Sequence, residues 1–471
     1  MFHPRLSFVW CAAALLLGGC QYTAMKSGDG CGEEKHMVMD GRFDGWTDHS
    51  DIQADEHYLY LRLRFDEPVN LQGSPRAQAL WLDVDSDVNT GLLRPVVGRG
   101  EMGVDLEIVY SPKPDGRGVA MFGVDQRGRR SPINMAALDY MHAPTFASHE
   151  FELRLSRDLT GAPMLPRQGL GSRGRVMAVL VELDDAGEPT QWRNVLAADL
   201  HQTWPRRLTF GHIPHKHAGL RVMSHNVLHA APMKNPEPFA RLYRAVNPDI
   251  VLLQEWDDTP AEELVAWFGR HVPSRASWHA AVLPERGVAI VSRYPLSEIQ
   301  RSVSETRWIS ARVETPEGQL LAASIHLTCC GKAGGPEDQK RIAEAAEINQ
   351  QLAAVQRDLV VIGGDLNLVG ARQPIDDLRH GLDSDRSDLS IVEPRVLQDD
   401  AIYTWRDAFQ FFPPGRLDYL LYSDAAVKVT QTFIVDTGRF HVESSRVMDL
   451  LPDDSRASDH LPVVVDLEPI R

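Results

Sequence analysis

Basic residues are the first shortage. Lys and Arg number 49 against 65 Asp and Glu, a formal net charge of −16, and the isoelectric point lies near 5.6. A protein that holds nucleic acid chiefly by charge needs the opposite balance, so that class is excluded, whereas a local basic cleft on an acidic body is not. Cysteine is scarce as well, with five in 471 residues and neither a C-x-x-C pair nor the Cys/His spacing of a zinc site. Long apolar runs are missing. Only Leu6–Leu17 is apolar enough to enter a membrane, and it is too short to span one comfortably. What is present is ordinary globular material, 43% hydrophobic and 24% charged, which argues against long disorder. A chain of 471 residues accommodates two or three domains, each large enough for its own core.

The N-terminus reads as an export signal. Met1–Arg5 carries one positive charge, Leu6–Leu17 follows, and small residues lead to a break. Leu17-Gly18-Gly19-Cys20 resembles the lipobox of bacterial lipoproteins. That resemblance implies removal of residues 1–19, lipidation of Cys20 and a tether over 20–39. Gln21 in place of an inner-membrane-retaining Asp implies the outer membrane, so the expected location is the cell envelope, periplasmic or surface-exposed. Cys11 would be lost with the signal, leaving Cys31, Cys329 and Cys330 in a compartment where disulfides persist; which of them pair stays open.

From Asp40 to Ala197 the pattern is β. Residues 57–65 alternate apolar and polar, as a half-buried strand does, and further strand candidates fall at 77–84, 104–110, 118–124, 150–155, 175–183 and 192–196. With no long amphipathic helix between them, an antiparallel sandwich over 40–197 is expected. Asp83, Asp85 and Asp87 place hard oxygen ligands in one loop, as calcium requires, although Val88 and Arg94 break an EF-hand pattern. With Asp40–Trp46 and Asp105 they resemble the family-9-like carbohydrate-binding sandwiches, which implies a glycan as a ligand of this half. A joint over 198–219 follows, marked by Pro205 and Pro214 and carrying His212, His215 and His217, and reads as a solvated linker.

After Leu220 strand-like runs alternate with helix candidates at 237–246, 261–270 and 337–354, the mark of a layered α/β or α+β domain. The chemistry sits at the ends of the apolar runs. One ends in Asn226, the next in Glu255, and a third in His326. Leu359–Asn367 ends in Asp365 and Asn367, two apart and so on one side of an extended segment. Asp418 follows, and then Asp459-His460 ahead of the closing strand. Strand ends are where layered sheets build sites. Hydrolysis of a phosphate ester needs a hard cation for the phosphoryl and leaving oxygens, and magnesium is satisfied by one or two carboxylates such as Glu255 and Asp459. The attacking water needs an acceptor, for which Asp365 and His460 both qualify. Asn226, Asn367 and His326 can donate to phosphoryl oxygens, and Asp418 can hold His460 in one tautomer.

The segments Ser224–Asn226, Leu253–Glu255, Ser324–His326, Gly363–Asn367, Arg416–Tyr419 and Ser458–His460 occur in one order, and together they resemble the endonuclease/exonuclease/phosphatase superfamily, the deoxyribonuclease-I-like fold. The resemblance implies a four-layered α/β (α+β) sandwich over 220–471, preceded here by the all-β antiparallel sandwich domain. It implies a Mg2+- or Mn2+-dependent phosphoesterase, in a superfamily that spans nucleases, sphingomyelinases, inositol phosphatases and deadenylases. Glu255 would be the principal metal ligand with Asn226 and Asp459 nearby. Asp365 would orient or deprotonate water, Asn367 would hold phosphate, and His326 and His460 would stabilise the transition state with Asp418 behind His460.

Beside these, a Gly-rich loop carrying Lys332 enters the 337–354 helix as a phosphate cradle, with Arg341 as a substrate contact. Acidity in both halves favours a small phosphodiester, a lipid headgroup or transient nucleic-acid contact over tight DNA binding. The competing class is a lapsed enzyme that binds glycan or calcium through its first domain.

Overall fold

The period-2 runs become strands and pair as their apolar faces require. The computed structural model describes residues 37–46, 50–112, 116–166, 170–171, 174–200, 203, 211–216, 218–355 and 359–470; the export signal, Cys20 and Cys31 lie outside them. Two antiparallel sheets form from the first half. Ile52–Ala54, Tyr58–Val69, Ser148–Ser156 and Met141–Ala143 make four strands in the order 52–54, 58–69, 148–156, 141–143. The facing six-stranded sheet runs 189–199, 175–183, 78–83, 106–110, 119–124, 130–133. Leu59, Leu61 and Leu63 point between the sheets and meet Leu80, Leu82, Phe151, Leu153 and Leu180. Leu61 is level with Leu153 across the ladder; truncating either to Ala removes about 2–5 kcal/mol. The short strands 92–96 and 100–104 form a separate hairpin whose Val96, Met102 and Val104 cover the outer face of the six-stranded sheet.

The second half contains two six-stranded sheets of matching plan. One runs 279–283, 288–292, 250–254, 220–226, 463–469, 427–434, and the other 296–301, 307–315, 318–326, 359–365, 418–422, 390–391. In each, one parallel pair lies at the centre, 220–226 beside 250–254 and 318–326 beside 359–365. Central strands covered on both faces read as continuous apolar runs, which is why Asp249–Leu253 and Leu359–Ile362 carry no alternation. The sheets pack face to face through Val222, Leu252, Ile290, Ile309, Ala322 and Val361. Helices Pro236–Val246 and Ala261–His271 cover one outer face through Phe239, Tyr243 and Phe268. Pro336–Ala353 covers the other through Ala345, Ile348 and Leu352. The result is helix, sheet, sheet, helix, preceded by the all-β sandwich. No helix among the described residues is long and apolar enough to cross a membrane.

Residues 36–471 form one compact unit. Tyr58, Tyr60 and Met141, on the outer face of the four-stranded sheet, belong to the same apolar cluster as the two sheets of the second half. Arg154 reaches across to Asp399, Nη1–Oδ1 2.5 Å and Nη2–Oδ2 3.1 Å, while Arg439 reaches back to Asp139 at 2.5 and 2.8 Å. The described part of the joint is packed as well: Ile213 and Pro214 are buried, and Lys216 pairs with Asp249.

Candidate active site

Strand register brings the polar groups to one end of the sheets. His326 is level with Asp365 and Asp365 with Asp418, so three strands deliver their groups side by side. In the facing sheet Asn226 is level with Gln254, the residue before Glu255. The closing strand pairs Val463 with Ser224, which leaves Asp459 and His460 just ahead of it, beside Asn226. Beneath the site the Ser324 hydroxyl joins the two sheets and the Ser458 hydroxyl ties the approach to the closing strand to its neighbour. Gln254 Nε2 donates to Ser324 Oγ at 3.0 Å, Ser324 Oγ donates to Leu253 O at 2.8 Å, and Ser458 Oγ donates to Asn226 O at 2.8 Å. At Gly363 the sheets approach closely, so that a Cβ would press on the Leu252 side chain of the other sheet and on Leu420, and both would have to shift.

Asp365 is the focus. Its Oδ2 accepts from Asn226 Nδ2 at 3.1 Å and lies 3.4 Å from His326 Nε2 and 3.6 Å from His460 Nε2. Its Oδ1 accepts the Asn367 backbone N–H at 3.0 Å. Asn226 Nδ2 also donates to Glu255 Oε1 at 3.0 Å, and His229 N donates to Glu255 Oε2 at 3.1 Å. His460 Nδ1 stands 2.8 Å from Asp418 Oδ2. Among the non-glycine residues with left-handed backbone are Glu255 at φ 57° and Asn367 at φ 48°. That conformation costs roughly 1–2 kcal/mol for an L-residue and turns both side chains into the cavity they line together with Asp365 and His326, about 360 Å³ in volume.

The Endonuclease/Exonuclease/phosphatase family model matches residues 223–460, which contain all of these groups. The chain belongs to that family. Solved structures similar to it include a 3′ phosphatase from Neisseria bound to product DNA hairpin, 20% identical over 53% of this chain and 99% of that one, with a TM-score of 0.37. Sphingomyelinase C from Streptomyces griseocarneus is 18% identical over 53% and 99%, TM-score 0.35. An AP endonuclease from Archaeoglobus fulgidus is 14% identical over 53% and 99%, TM-score 0.36. No curated protein matches the chain.

The electrostatics of this phosphoesterase-family site separate its ionisable groups. Burial raises the pKa of Asp365; the His460 charge pulls it back only in part, and Asp418 adds to the rise. Burial disfavours charge on His460, yet the carboxylates of Asp418 and Asp365 more than offset it and hold the imidazolium well above its ordinary range. His326 goes the other way. Burial first, then the positive charges of Arg307 and His460, keep it neutral. The site thus joins a carboxylate of raised pKa, a charged imidazole and a neutral imidazole. Asp365, Asp418 and His460 lie close enough to share a metal, but the Asp418–His460 hydrogen bond engages two of their ligand atoms. Glu255 and Asp459 carry further hard oxygens beside them, those of Glu255 accepting from Asn226 Nδ2 and His229 N. Asp459 Oδ1 is buried without a hydrogen-bond partner among the described residues, and its Oδ2 accepts from Trp405 Nε1 at 2.9 Å.

Several expectations are corrected. Asn226 was expected beside the metal as a ligand, but its oxygen accepts the Leu228 N–H at 3.1 Å and its amide nitrogen faces the carboxylates of Glu255 and Asp365. Arg341 is no substrate contact. It is wholly buried, and its guanidinium donates to the carbonyls of Thr328 and Cys330 and to Asp338, so it braces the loop from within. The phosphate cradle is filled by the protein's own carboxylate: Asp338 accepts the N–H of Gly334 and of Ala371, both at 2.9 Å. Lys332 packs its Cβ against Gly73, outside the cavity lining. Cys329 and Cys330 are free, exposed thiols. In the first half, Asp83, Asp85 and Asp105 form the buried cluster, with ligand oxygens within 4.8 Å of one another; Asp87 turns its carboxylate to Asn89.

Sequence reading passed over Trp405 and Thr404. Thr404 Oγ1 accepts the N–H of Leu417 and Asp418 at 2.9 and 2.8 Å and so sets where Asp418 begins. The available signal was a Tyr-Thr-Trp-Arg cluster at 403–406, a bulky aromatic in an otherwise loop-like stretch with no apolar period to explain it.

Proposed function

We propose that this chain is a divalent-metal-dependent hydrolase of phosphate esters that works by attack of water. The observation that carries this is the convergence of Asn226, His326 and His460 on one carboxylate, Asp365, beside the carboxylate of Glu255 and the unpartnered Oδ1 of Asp459. That donor set suits magnesium or manganese, held by Glu255 and Asp459. Bound there, the cation supplies neutralisation of charge on the phosphoryl and leaving oxygens. Asp365, with a raised pKa, orients water and accepts its proton at Oδ2. His460, kept charged by Asp418, and neutral His326 donate to phosphoryl oxygens, and Asn367 supports the same group. The test is hydrolysis of p-nitrophenyl phosphate, bis(p-nitrophenyl) phosphate, sphingomyelin, RNA and plasmid DNA by residues 21–471, with Mg2+ and with chelator. Turnover that needs metal and is lost in Asp365→Ala supports the reading; unchanged turnover in that variant refutes it.

The sequence of residues 1–20 supports export and anchoring through a lipid on Cys20. Cys20→Ser should release the protein from the membrane fraction. The Asp83, Asp85 and Asp105 cluster supports a calcium ion in the first half, since three buried carboxylates repel one another without a counter-charge. A melting temperature that does not rise with calcium over chelator would rule this out.

A further inference from the structure

We propose that the β-sandwich forms one wall of the active site, and that Arg117 on this wall binds an anionic oxygen of the substrate, so that the enzyme turns over phosphoesters of small-molecule size. The proposal rests on the phosphoesterase reading above and names its substrate class.

Asn70, Gln72, Arg117 and Thr145, all from the sandwich, line the same cavity as Glu255 and Asp365. Their placement is fixed by hydrogen bonds to the segment that follows Asn367. Asn70 Nδ2 donates to Val369 O at 2.7 Å, Thr145 Oγ1 to Leu368 O at 2.7 Å, and the Ala147 N–H to Gly370 O at 2.7 Å. The other side of the wall is fastened to the loop after Trp405. The Val119 N–H donates to Phe411 O at 2.7 Å and Asn134 Nδ2 to Ala408 O at 2.9 Å. Gln72 is itself held, its Nε2 lying 3.0 Å from His142 Nε2 and its carbonyl accepting the Gly118 N–H at 2.9 Å. Arg117 is therefore followed directly by two residues, Gly118 and Val119, whose backbone N–H groups are both fixed.

The charge pattern gives Arg117 its role. The cavity is acidic, with Glu255, Asp365, Asp407 and Asp459 in its lining, and Arg117 is the only lysine or arginine among the described residues that line it. Its side chain is exposed and has no carboxylate partner among the described residues. A guanidinium fork matches phosphoryl oxygens in geometry as well as charge. Trp405, Phe412, Pro413 and Leu417 supply an apolar side for the esterified group. A cavity of about 360 Å³ lies at the lower end of the size that suits a small organic ligand. A duplex whose major groove alone is about 12 Å wide needs an open face instead.

The experiment compares wild type, Arg117→Ala and Arg117→Lys on p-nitrophenyl phosphate, bis(p-nitrophenyl) phosphate and linear plasmid DNA with Mg2+. The expected result is a KM on the preferred small ester raised about tenfold in Arg117→Ala, with kcat within about twofold, partial recovery in Arg117→Lys, and an unchanged melting temperature. Plasmid should be cut at less than about a hundredth of the small-ester kcat/KM. A kcat/KM unmoved in Arg117→Ala, or plasmid cleaved as efficiently as the small ester, would overturn the proposal while leaving the phosphoesterase reading intact. If wild type hydrolyses none of the five substrates of the test above, that reading fails, and calorimetric binding of phenyl phosphate to Asp365→Asn with Mg2+ decides the wall separately. Binding weakened about tenfold by adding Arg117→Ala supports it; no binding, or binding indifferent to Arg117, overturns it.

Discussion

Asp418 and His460, 42 residues apart, meet at 2.8 Å with the carboxylate on Nδ1 of the ring, which leaves Nε2 facing Asp365 at 3.6 Å. Asp418 is both the orienter of the imidazole and a main source of its charge. Asp418→Asn keeps the shape and removes that charge. The expected outcome is an alkaline limb of the pH–rate profile displaced to lower pH, because His460 then loses its proton sooner. The acid limb should also move down, since Asp418 helps raise the pKa of Asp365. A full pH–kcat/KM profile checks both displacements; a uniform loss of rate with limbs unmoved contradicts the assignment.

Trp405 donates to one oxygen of Asp459, and the other, the one proposed to hold the cation, has no hydrogen-bond partner among the described residues. Trp405→Phe preserves the packing and removes the donor. Groups that orient ligands typically contribute about 10–100-fold to metal affinity. The expected outcome is a rise of that order in the Mg2+ concentration giving half-maximal activity, with saturated kcat much less affected, read from activity against metal concentration.

Arg154 is wholly buried against Asp399 and covers the ring of Tyr58 at 4.4 Å. Removing one partner of a buried pair costs up to about 3–5 kcal/mol, of which Arg439 Nε, 3.3 Å from Asp399 Oδ2, offsets a part. Arg154→Met should lower the denaturation midpoint of the whole chain in one transition, because the pair joins the two halves. Denaturation followed by tryptophan fluorescence measures it; a separate early transition of the first half alone would contradict the coupling.

His142 is buried and neutral, flanked by Gln72 Nε2 and Tyr140 Oη, and burial lowers its pKa to about 3. The unfolded chain, with histidine near the ordinary 6.5, binds a proton first as pH falls. Stability is therefore complete above about 6.5 and is lost as pH drops from there toward 3, by about 1.4 kcal/mol per unit. In His142→Phe the loss of stability between pH 7 and pH 5.5 should shrink by about 1 kcal/mol. Urea melts at the two pH values give the comparison.

Local pattern and tertiary assembly divided the work between them. Strand alternation over 57–65, the unbroken run Asp249–Leu253 and the polar residues at the ends of four apolar runs are local properties, because period and strand end are written in neighbouring residues. From them the two sandwiches, the helices at 236–246, 261–271 and 336–353, and the convergence of Glu255, His326, Asp365, Asp418 and His460 could be read. The short strands 52–54, 130–133 and 141–143 could not, since each is an edge or a brief partner stabilised by a sheet already formed. Roles that depend on contacts far along the chain were settled only by folding. Arg341 looks like a substrate cation in sequence, yet the carbonyls of Thr328 and Cys330 consume it. Lys332 and Arg117 both stand in Gly-containing loops, and only the packing of the sandwich against residues 368–370 and 408–411 keeps one outside the cavity and sets the other in its wall. Which groups the strands carry to their ends is written in neighbouring residues; which of them face the cavity is set only on folding, because burial and charge pairing are sums over neighbours that no single segment contains.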